Sequence, residues 1–231
     1  MVINMYKEKD WTSFDVVAKV KGILGGKKSR KVGHAGTLDP LAEGVLLILT
    51  DEDTKKQDQI MSLEKEYVCE IAFGAQSITY DLEGELTFDA LPPSNTDLKA
   101  NIEKHLPKYL GQIEQQVPPY SAAKVGGKKL YIEARKGNIK KTKLPVKKVT
   151  IHKIELLDFY KQKLQAKELP VAKLKITCSK GTYVRSIAND LGNDLGVGGV
   201  LVSLVRTRVG KYKVEDSLKI SELLARLALS Q

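Results

Sequence analysis

Apolar and polar positions recur along this sequence with two different periods, which predicts a mixture of helices and strands. A first helix is expected over 14–24, with Thr12 or Ser13 as its N-cap and a glycine pair at its end. The alternation over 67–73 is typical of a half-buried strand, and Tyr67 lies on its apolar face. The other predicted elements are helices over 96–110, 130–136, 183–192 and 220–229, and strands over 146–158, 171–178, 200–206 and 211–214. Because they follow no regular βαβ order, we expect an α+β fold with a largely antiparallel sheet.

The stretch KVGHAGTLDPLAEGVLLILT (31–50) places Asp39 directly before Pro40 and close to an apolar run. The run at 44–49 is expected to be buried, either as a strand or as a helical segment, since periodicity alone does not separate the two. An aspartate before a proline commonly opens a turn, and this role accounts for Asp39 taken alone. The alternative is a catalytic carboxylate held at the edge of the core.

Arg185 favours the catalytic interpretation of Asp39. If Thr182 is the N-cap of the predicted helix, Arg185 lies in the first turn, where a cation opposes the helix dipole by about 0.3–1 kcal/mol. Acids three or four positions further on would relieve this, but those positions hold Ala188 and Asn189. We therefore expect a carboxylate from elsewhere in the chain, with Asp39 as the candidate. Such a pair would keep the carboxylate ionised and oriented, ready to act as a nucleophile or a base.

The distribution of charge indicates the kind of partner. The net charge is +10, and segment 124–148 holds ten Lys and Arg residues against a single acid, Glu133. Segment 16–38 holds six more basic residues and no acid. Solvated lysine faces would explain one such segment, but two of them on one modest domain favour a polyanion as partner.

The sequence lacks the usual patterns of metal, nucleotide and membrane binding. Its three histidines are far apart, and no CxxC, HExxH or GxGxxG motif occurs. The stretch GILGGKKS has the wrong glycine spacing for a P-loop. No run reaches the roughly 18 apolar residues of a membrane helix, and the N-terminus shows no signal peptide. With only two cysteines as well, we expect a cytoplasmic protein.

Five segments, in this order, carry a resemblance to a known family. They are GHAGTLDPLAEGVL from Gly33, KEYVCEIAFGAQSITYDLEG from Lys65, QVPPYSAAKVGGKKLYIEAR from Gln116, CSKGTYVRSIANDLG from Cys178 and LVSLVRTRVGKY from Leu201. The sequence resembles the TruB-type tRNA pseudouridine synthases, which isomerise a uridine in the T-arm loop of tRNA, at position 55 of the tRNA. The resemblance extends from about residue 11 to about residue 223.

This resemblance implies an architecture. The fold expected is that of a pseudouridine synthase, with a central, bent, mostly antiparallel mixed sheet flanked by helices and loops. One catalytic domain would span 1–231, with a basic, thumb-like RNA-binding insertion at 112–148. A C-terminal PUA domain, which many bacterial relatives have, is expected to be missing. The RNA-binding residues expected in the insertion are Lys124, Lys128, Lys129, Arg135, Lys140 and Lys141.

The same resemblance implies roles at the site. Asp39 would be the nucleophile, Arg185 its partner, and Tyr67 the residue that helps to remove the C5 proton of the base. His34 would occupy the space left by the flipped base. Tyr183 and Leu204 would line the uracil pocket, although a tyrosine taken alone is more often part of a core. Whether the carboxylate attacks the ribose carbon or removes a proton beside it stays open.

The implied reaction also bears on cofactors and partners. It involves no redox change and no external group, so we expect no cofactor and no metal. The partner expected is the T-arm stem-loop of tRNA, bound by a monomer with no obligatory protein partner and no membrane. Three alternatives remain: a non-catalytic RNA-binding or ribosome-assembly protein on the same fold, a guide-RNA-dependent relative in a larger complex, and an unrelated acid-dependent hydrolase.

Overall fold

A computed structural model describes residues 1–25, 30–88, 95–138 and 144–228 of the chain. The chain divides into two compact units. The first unit comprises Met1–Val68 and Leu204–Gln231, and the second comprises Cys69–Ser203. A single catalytic domain over 1–231 stays a prediction.

The elements follow one another in an irregular mixture of helices and strands. The chain begins with β1 (Val2–Lys7), α1 (Ser13–Ile23), β2 (Val32–His34), β3 (Glu43–Thr50), α2 (Gln57–Ser62) and β4 (Lys65–Phe73). It continues with β5 (Ala75–Ser77), β6 (Leu86–Phe88), α3 (Asn95–His105), β7 (Gly111–Gln116), β8 (Lys124–Val125), β9 (Lys128–Lys129) and α4 (Leu130–Arg135). It then forms β10 (Val146–Leu164), β11 (Lys167–Cys178), α5 (Val184–Asp194), β12 (Gly199–Val209), β13 (Tyr212–Lys213) and α6 (Ile220–Ala228). The order confirms the predicted α+β class.

The apolar run at 44–49 forms the central strand of the first unit. β3 pairs antiparallel with β1 and with β2, and parallel with the part of β12 that contains Val205 and Arg206. Val45, Leu47 and Leu49 of β3 join Ile60 and Val209 in one apolar cluster. This pairing settles the open choice between strand and helix, because the run obtains its hydrogen bonds from distant segments.

Helix α1 begins where its cap chemistry predicts. The Thr12 hydroxyl accepts a hydrogen bond from the Asp15 backbone N–H, and the Asp15 carboxylate accepts one from the Thr12 N–H. Val16, Val17 and Val20 form the buried face of the helix. The prediction of a helix over 14–24 is confirmed to within one residue at each end.

In the second unit, β10 and β11 form a long antiparallel hairpin, and β7 pairs with the first residues of β10. The hairpin is longer than the predicted 146–158 and 171–178. The residues at 161–163 and 165–168, near its tip, are exposed and interrupt the apolar alternation by which strands are predicted. The helix predicted over 96–110 ends at His105 and continues as a 3₁₀ turn, Leu106–Tyr109. Pro107 explains the change, because it removes a backbone donor.

Candidate active site

The loop that carries Asp39 is a tight turn in the first unit. The Ala42 N–H donates to the Asp39 carbonyl at 3.1 Å, so Asp39 opens the turn that contains Pro40 and Leu41. The Asp39 side chain is half-buried. The turn-forming role considered for Asp39 is therefore real, and it is compatible with a chemical role for the carboxylate.

Lys7, at the end of β1, binds the backbone that follows Asp39. Its ammonium is fully buried and donates to the carbonyls of Glu8 at 3.0 Å, Pro40 at 3.1 Å and Ala42. Burial lowers the pKa of Lys7 to about 8, although the nearby negative charge of Asp39 acts in the opposite direction. The ammonium thus fixes the backbone that follows the candidate nucleophile.

Arg206, on β12, binds the backbone that precedes Asp39. Its guanidinium is buried, with 2% of the residue exposed. It donates to the carbonyls of Val45 at 2.7 Å, Gly36 at 3.0 Å and Thr37 at 3.4 Å. One planar group therefore joins the loop to the start of β3.

A third group, the buried hydroxyl of Ser13, holds the residue next to Asp39. It accepts from the Leu38 N–H at 2.8 Å and donates to the Leu38 carbonyl at 3.0 Å. Lys7, Ser13 and Arg206 form what we call the loop clamp. Because the clamp bonds backbone on both sides of Asp39, it restricts the directions in which the carboxylate can point. Sequence reasoning missed all three residues, since charged side chains and serines are usually solvated.

The other predicted residues of the first unit are His34, Tyr67 and Leu204. Burial, and then the positive charge of Arg206, lower the pKa of His34, so its imidazole is neutral at pH 7. Its Nδ1 is buried and finds no hydrogen-bond partner among the residues that the structure describes. Tyr67 and Leu204 are buried side chains of β4 and β12.

The N-terminus of α5, in the second unit, carries Tyr183. The N-cap is Tyr183 itself and not Thr182, the residue considered for this position above. The Thr182 hydroxyl instead donates to the Ser179 carbonyl. The Tyr183 N–H donates to Gln115 Oε1 at 2.7 Å, and the Tyr183 carbonyl accepts from Gln115 Nε2 at 3.0 Å. The side-chain amide of Gln115 thus bonds both backbone groups of the N-cap residue.

Arg185 lies in the first turn of α5 as predicted, and it is buried. Its guanidinium donates to the carbonyls of Thr79 at 3.0 Å and Tyr120 at 3.1 Å. Its Nη1 also lies 3.6 Å from the carboxylate of Asp81, which is itself buried. Asp81 is thus a carboxylate from elsewhere in the chain, one that sequence reasoning missed. The pairing of Arg185 with Asp39 stays a prediction.

The predicted insertion forms a small substructure on the second unit. β8 and β9 form a hairpin that leads into α4, whose Leu130 and Ala134 are buried. The ring of Tyr131 has Lys129 Nζ at 5.6 Å and Arg135 Cζ at 5.7 Å from its centre. Lys124, Lys128, Lys129 and Arg135 are all exposed, while Lys140 and Lys141 lie outside the described residues.

The described part of the chain has neither a metal-binding cluster nor a membrane-spanning helix. No group of three or more His, Cys, Asp and Glu side chains there is placed to hold a metal ion. No helix among the described residues is long and apolar enough to cross a membrane.

Comparison with known proteins identifies the family. Residues 21–184 match the TruB family pseudouridylate synthase N-terminal domain, and residues 185–231 match the tRNA pseudouridylate synthase B C-terminal domain. The chain therefore belongs to the TruB family of pseudouridylate synthases. It is 41% identical to the tRNA pseudouridine synthase B of Phocaeicola vulgatus over 95% of this chain and 89% of that protein. It is 43% identical to that of Carboxydothermus hydrogenoformans, over 95% of this chain and 73% of that protein.

Solved structures confirm the pseudouridine synthase fold. A Cbf5-Nop10-Gar1 complex contains a chain that matches 99% of this one with a TM-score of 0.68 at 25% identity. A chain of an H/ACA RNP bound to a substrate RNA containing 2'-deoxyuridine matches 99% of this chain, with a TM-score of 0.67 at 24% identity. The present chain spans about half the length of each, 54% and 53%. At this identity the likeness shows the fold alone.

Proposed function

We propose that this tRNA pseudouridine synthase acts on the uridine at position 55, in the T-arm loop, with Asp39 as its nucleophile. Conversion of uridine to pseudouridine in tRNA is the activity for which its curated relatives are named. The structural observation that supports the assignment to Asp39 is the loop clamp. Three buried groups hydrogen-bond to the backbone around this one carboxylate. A turn residue with no further role would not need such restraint.

The chemistry assigns a task to each residue. The bond between the ribose and N1 of uracil must break, the base must turn, and the same ribose carbon must bond to C5. Asp39 either attacks that carbon or removes a proton beside it, and both routes remain open. Tyr67 then helps to remove the proton from C5, and N1, which no longer bonds to the ribose, gains a proton. The reaction is an isomerisation, so the products contain the atoms of the substrate.

The base must be held throughout, because it is detached from the ribose between the two bonds. A uridine in a folded loop has to leave its stack to reach the carboxylate. We assign the walls of its pocket to Tyr183 and Leu204, whose apolar surfaces exclude water. His34, neutral at pH 7, fills the space that the base leaves without adding charge.

The basic insertion supports tRNA as the partner. Four exposed cations there, Lys124, Lys128, Lys129 and Arg135, would contact phosphates around the extruded nucleotide and read the shape of the RNA more than its sequence. Lys140 and Lys141 are assigned the same role on the resemblance alone. We further propose a cytoplasmic monomer that acts without an obligatory protein partner.

The test of substrate and position uses the protein of 231 residues and two RNAs. One is an unmodified tRNA transcript, and the other is the same transcript with cytidine in place of uridine 55. Carbodiimide treatment followed by reverse transcription marks each pseudouridine as a stop. We expect one enzyme-dependent stop at position 55 in the first RNA and none in the second. A protein that binds both RNAs but produces no stop in either would instead be the non-catalytic RNA-binding alternative.

A further inference from the structure

The thumb-like insertion 112–148 is hydrogen-bonded to the start of α5 at several places. The amide of Gln115 bonds both backbone groups of Tyr183, at 2.7 and 3.0 Å. The Ser186 hydroxyl donates to the Gln116 carbonyl at 3.0 Å. The Arg185 guanidinium donates to the Tyr120 carbonyl at 3.1 Å. Three residues at the start of α5, Tyr183, Arg185 and Ser186, are thus hydrogen-bonded to the first residues of the insertion.

The far end of the insertion contacts the same tyrosine. Lys147, the second residue of β10, places its ammonium 5.8 Å from the centre of the Tyr183 ring. An ammonium at this distance from a ring face is attracted to it. Tyr183 is therefore held at its backbone from one end of the insertion and contacted at its ring from the other end.

Gln115 is suited to this contact by its chemistry and its burial. Only 2% of the residue is exposed, whereas the neighbouring side chains Glu114 and Gln116 of β7 are exposed. An amide has donor N–H groups and an acceptor oxygen in one plane, which matches the C=O and N–H of a single residue. Loss of the amide would leave the N–H and C=O of Tyr183 without these partners at the point where the pocket wall begins.

We propose that Gln115 is a positioning residue that couples the RNA-binding insertion to the uracil pocket through the backbone of Tyr183. The inference rests on the proposed function, in which Tyr183 lines that pocket. Contacts of RNA with the insertion are thereby transmitted to the backbone of Tyr183. The insertion accordingly has a second role besides its contacts with phosphates.

The test compares Gln115→Leu with Gln162→Leu, a matched change at an exposed glutamine of β10 in the same unit. Two quantities are measured with the tRNA transcript: the dissociation constant, and the single-turnover rate constant of pseudouridine formation. We expect Gln115→Leu to reduce the rate constant at least tenfold and to change the dissociation constant less than twofold. Gln162→Leu should change neither more than twofold. Equal losses of affinity and rate, or an unchanged rate, would overturn the proposal.

Gln115→Glu provides a variant of nearly the same shape in case the leucine variant does not fold. Its carboxylate still accepts from the Tyr183 N–H but has no proton for the Tyr183 carbonyl. We expect a rate constant between those of the wild-type protein and Gln115→Leu. A wild-type rate in a folded Gln115→Glu variant would show that the second hydrogen bond positions nothing.

A double-mutant cycle separates positioning from general stability. Tyr183→Ala should reduce the rate constant, and adding Gln115→Leu to it should cost less than a further twofold, because the side chain that Gln115 positions is already gone. If the two substitutions instead reduce the rate constant by factors that multiply, Gln115 acts on something other than Tyr183. A Tyr183→Ala variant with the wild-type rate would overturn the coupling while pseudouridine formation itself stood. Absence of product with the wild-type protein would instead overturn the proposed function.

Discussion

The burial of Lys7 predicts an unusual dependence of stability on pH. Its ammonium is fully buried in the loop clamp, and burial lowers its pKa from 10.5 to about 8. Between these values the unfolded chain holds a proton that the folded chain has released. The free energy of unfolding contributed by Lys7 therefore rises with pH over this window, and the gain is lost as pH falls through 8.

The magnitude follows from the size of the shift. The slope approaches about 1.4 kcal/mol per pH unit, and over the whole window the gain is roughly 3 kcal/mol. Tyr6 titrates at high pH as well, since burial raises its pKa to about 12. A comparison of the wild-type protein with Lys7→Met at each pH cancels such shared contributions and leaves the contribution of Lys7.

The assay is urea unfolding at pH 7, 8, 9 and 9.5, followed by the fluorescence of Trp11, the single tryptophan. We expect the stability of the wild-type protein relative to Lys7→Met to increase by about 1–2 kcal/mol from pH 8 to pH 9.5. Lys9→Met, which removes an exposed ammonium two residues away, serves as the control and should show no such increase. A constant difference between wild type and Lys7→Met would refute the claim that a desolvated cation binds the loop.

Three further predictions concern the clamp, the α5 arginine and the insertion. Arg206→Lys should lower the single-turnover rate constant at least tenfold with an unchanged tRNA dissociation constant, because an ammonium lacks the planar fork that joins three carbonyls. Asp81→Asn should lower the free energy of unfolding by about 1–3 kcal/mol in urea melts, because it removes a buried charge 3.6 Å from Arg185. Alanine at Lys128 and Lys129 should weaken tRNA binding and reduce its salt slope by roughly 0.7 for each lost phosphate contact, as measured by filter binding at several salt concentrations.

Much of the fold could be predicted because its signals are local. The cap of α1 depends on Thr12 and Asp15, which are three residues apart, and the buried face of β4 depends on a period of two. The run at 44–49 could not be assigned in the same way. Its structure depends on β1 and β12, and the sequence carries no local sign of which segments pair with it.

In the candidate site, too, residues with a local signal could be predicted and residues that depend on distant contacts could not. Asp39 stands out because a lone acid before a proline borders an apolar run. Lys7 and Arg206 do not stand out, because lysines and arginines are common and usually solvated. Their hydrogen bonds to the loop join residues up to 170 positions apart, and only the folded chain shows that these two cations are buried.

For Arg185, local electrostatics predicted the kind of partner but not its identity. The helix dipole correctly indicated that this cation requires a distant carboxylate, and Asp81 supplies one. Sequence reasoning could not choose among the acids, because a sequence contains no distances. For the same reason it missed Gln115, whose amide is an ordinary strand residue until Tyr183 is brought against it.

The most direct test of the account is a comparison of Asp39→Asn with Asp58→Asn, which changes an exposed acid of α2. Each variant is incubated with tRNA labelled with tritium at C5 of uridine, and tritium release and RNA binding are measured on the same samples. We predict that Asp39→Asn releases no tritium above background while it binds tRNA as the wild-type protein does, and that Asp58→Asn is fully active. Tritium release by Asp39→Asn at the wild-type rate would contradict the assignment of Asp39 as the nucleophile.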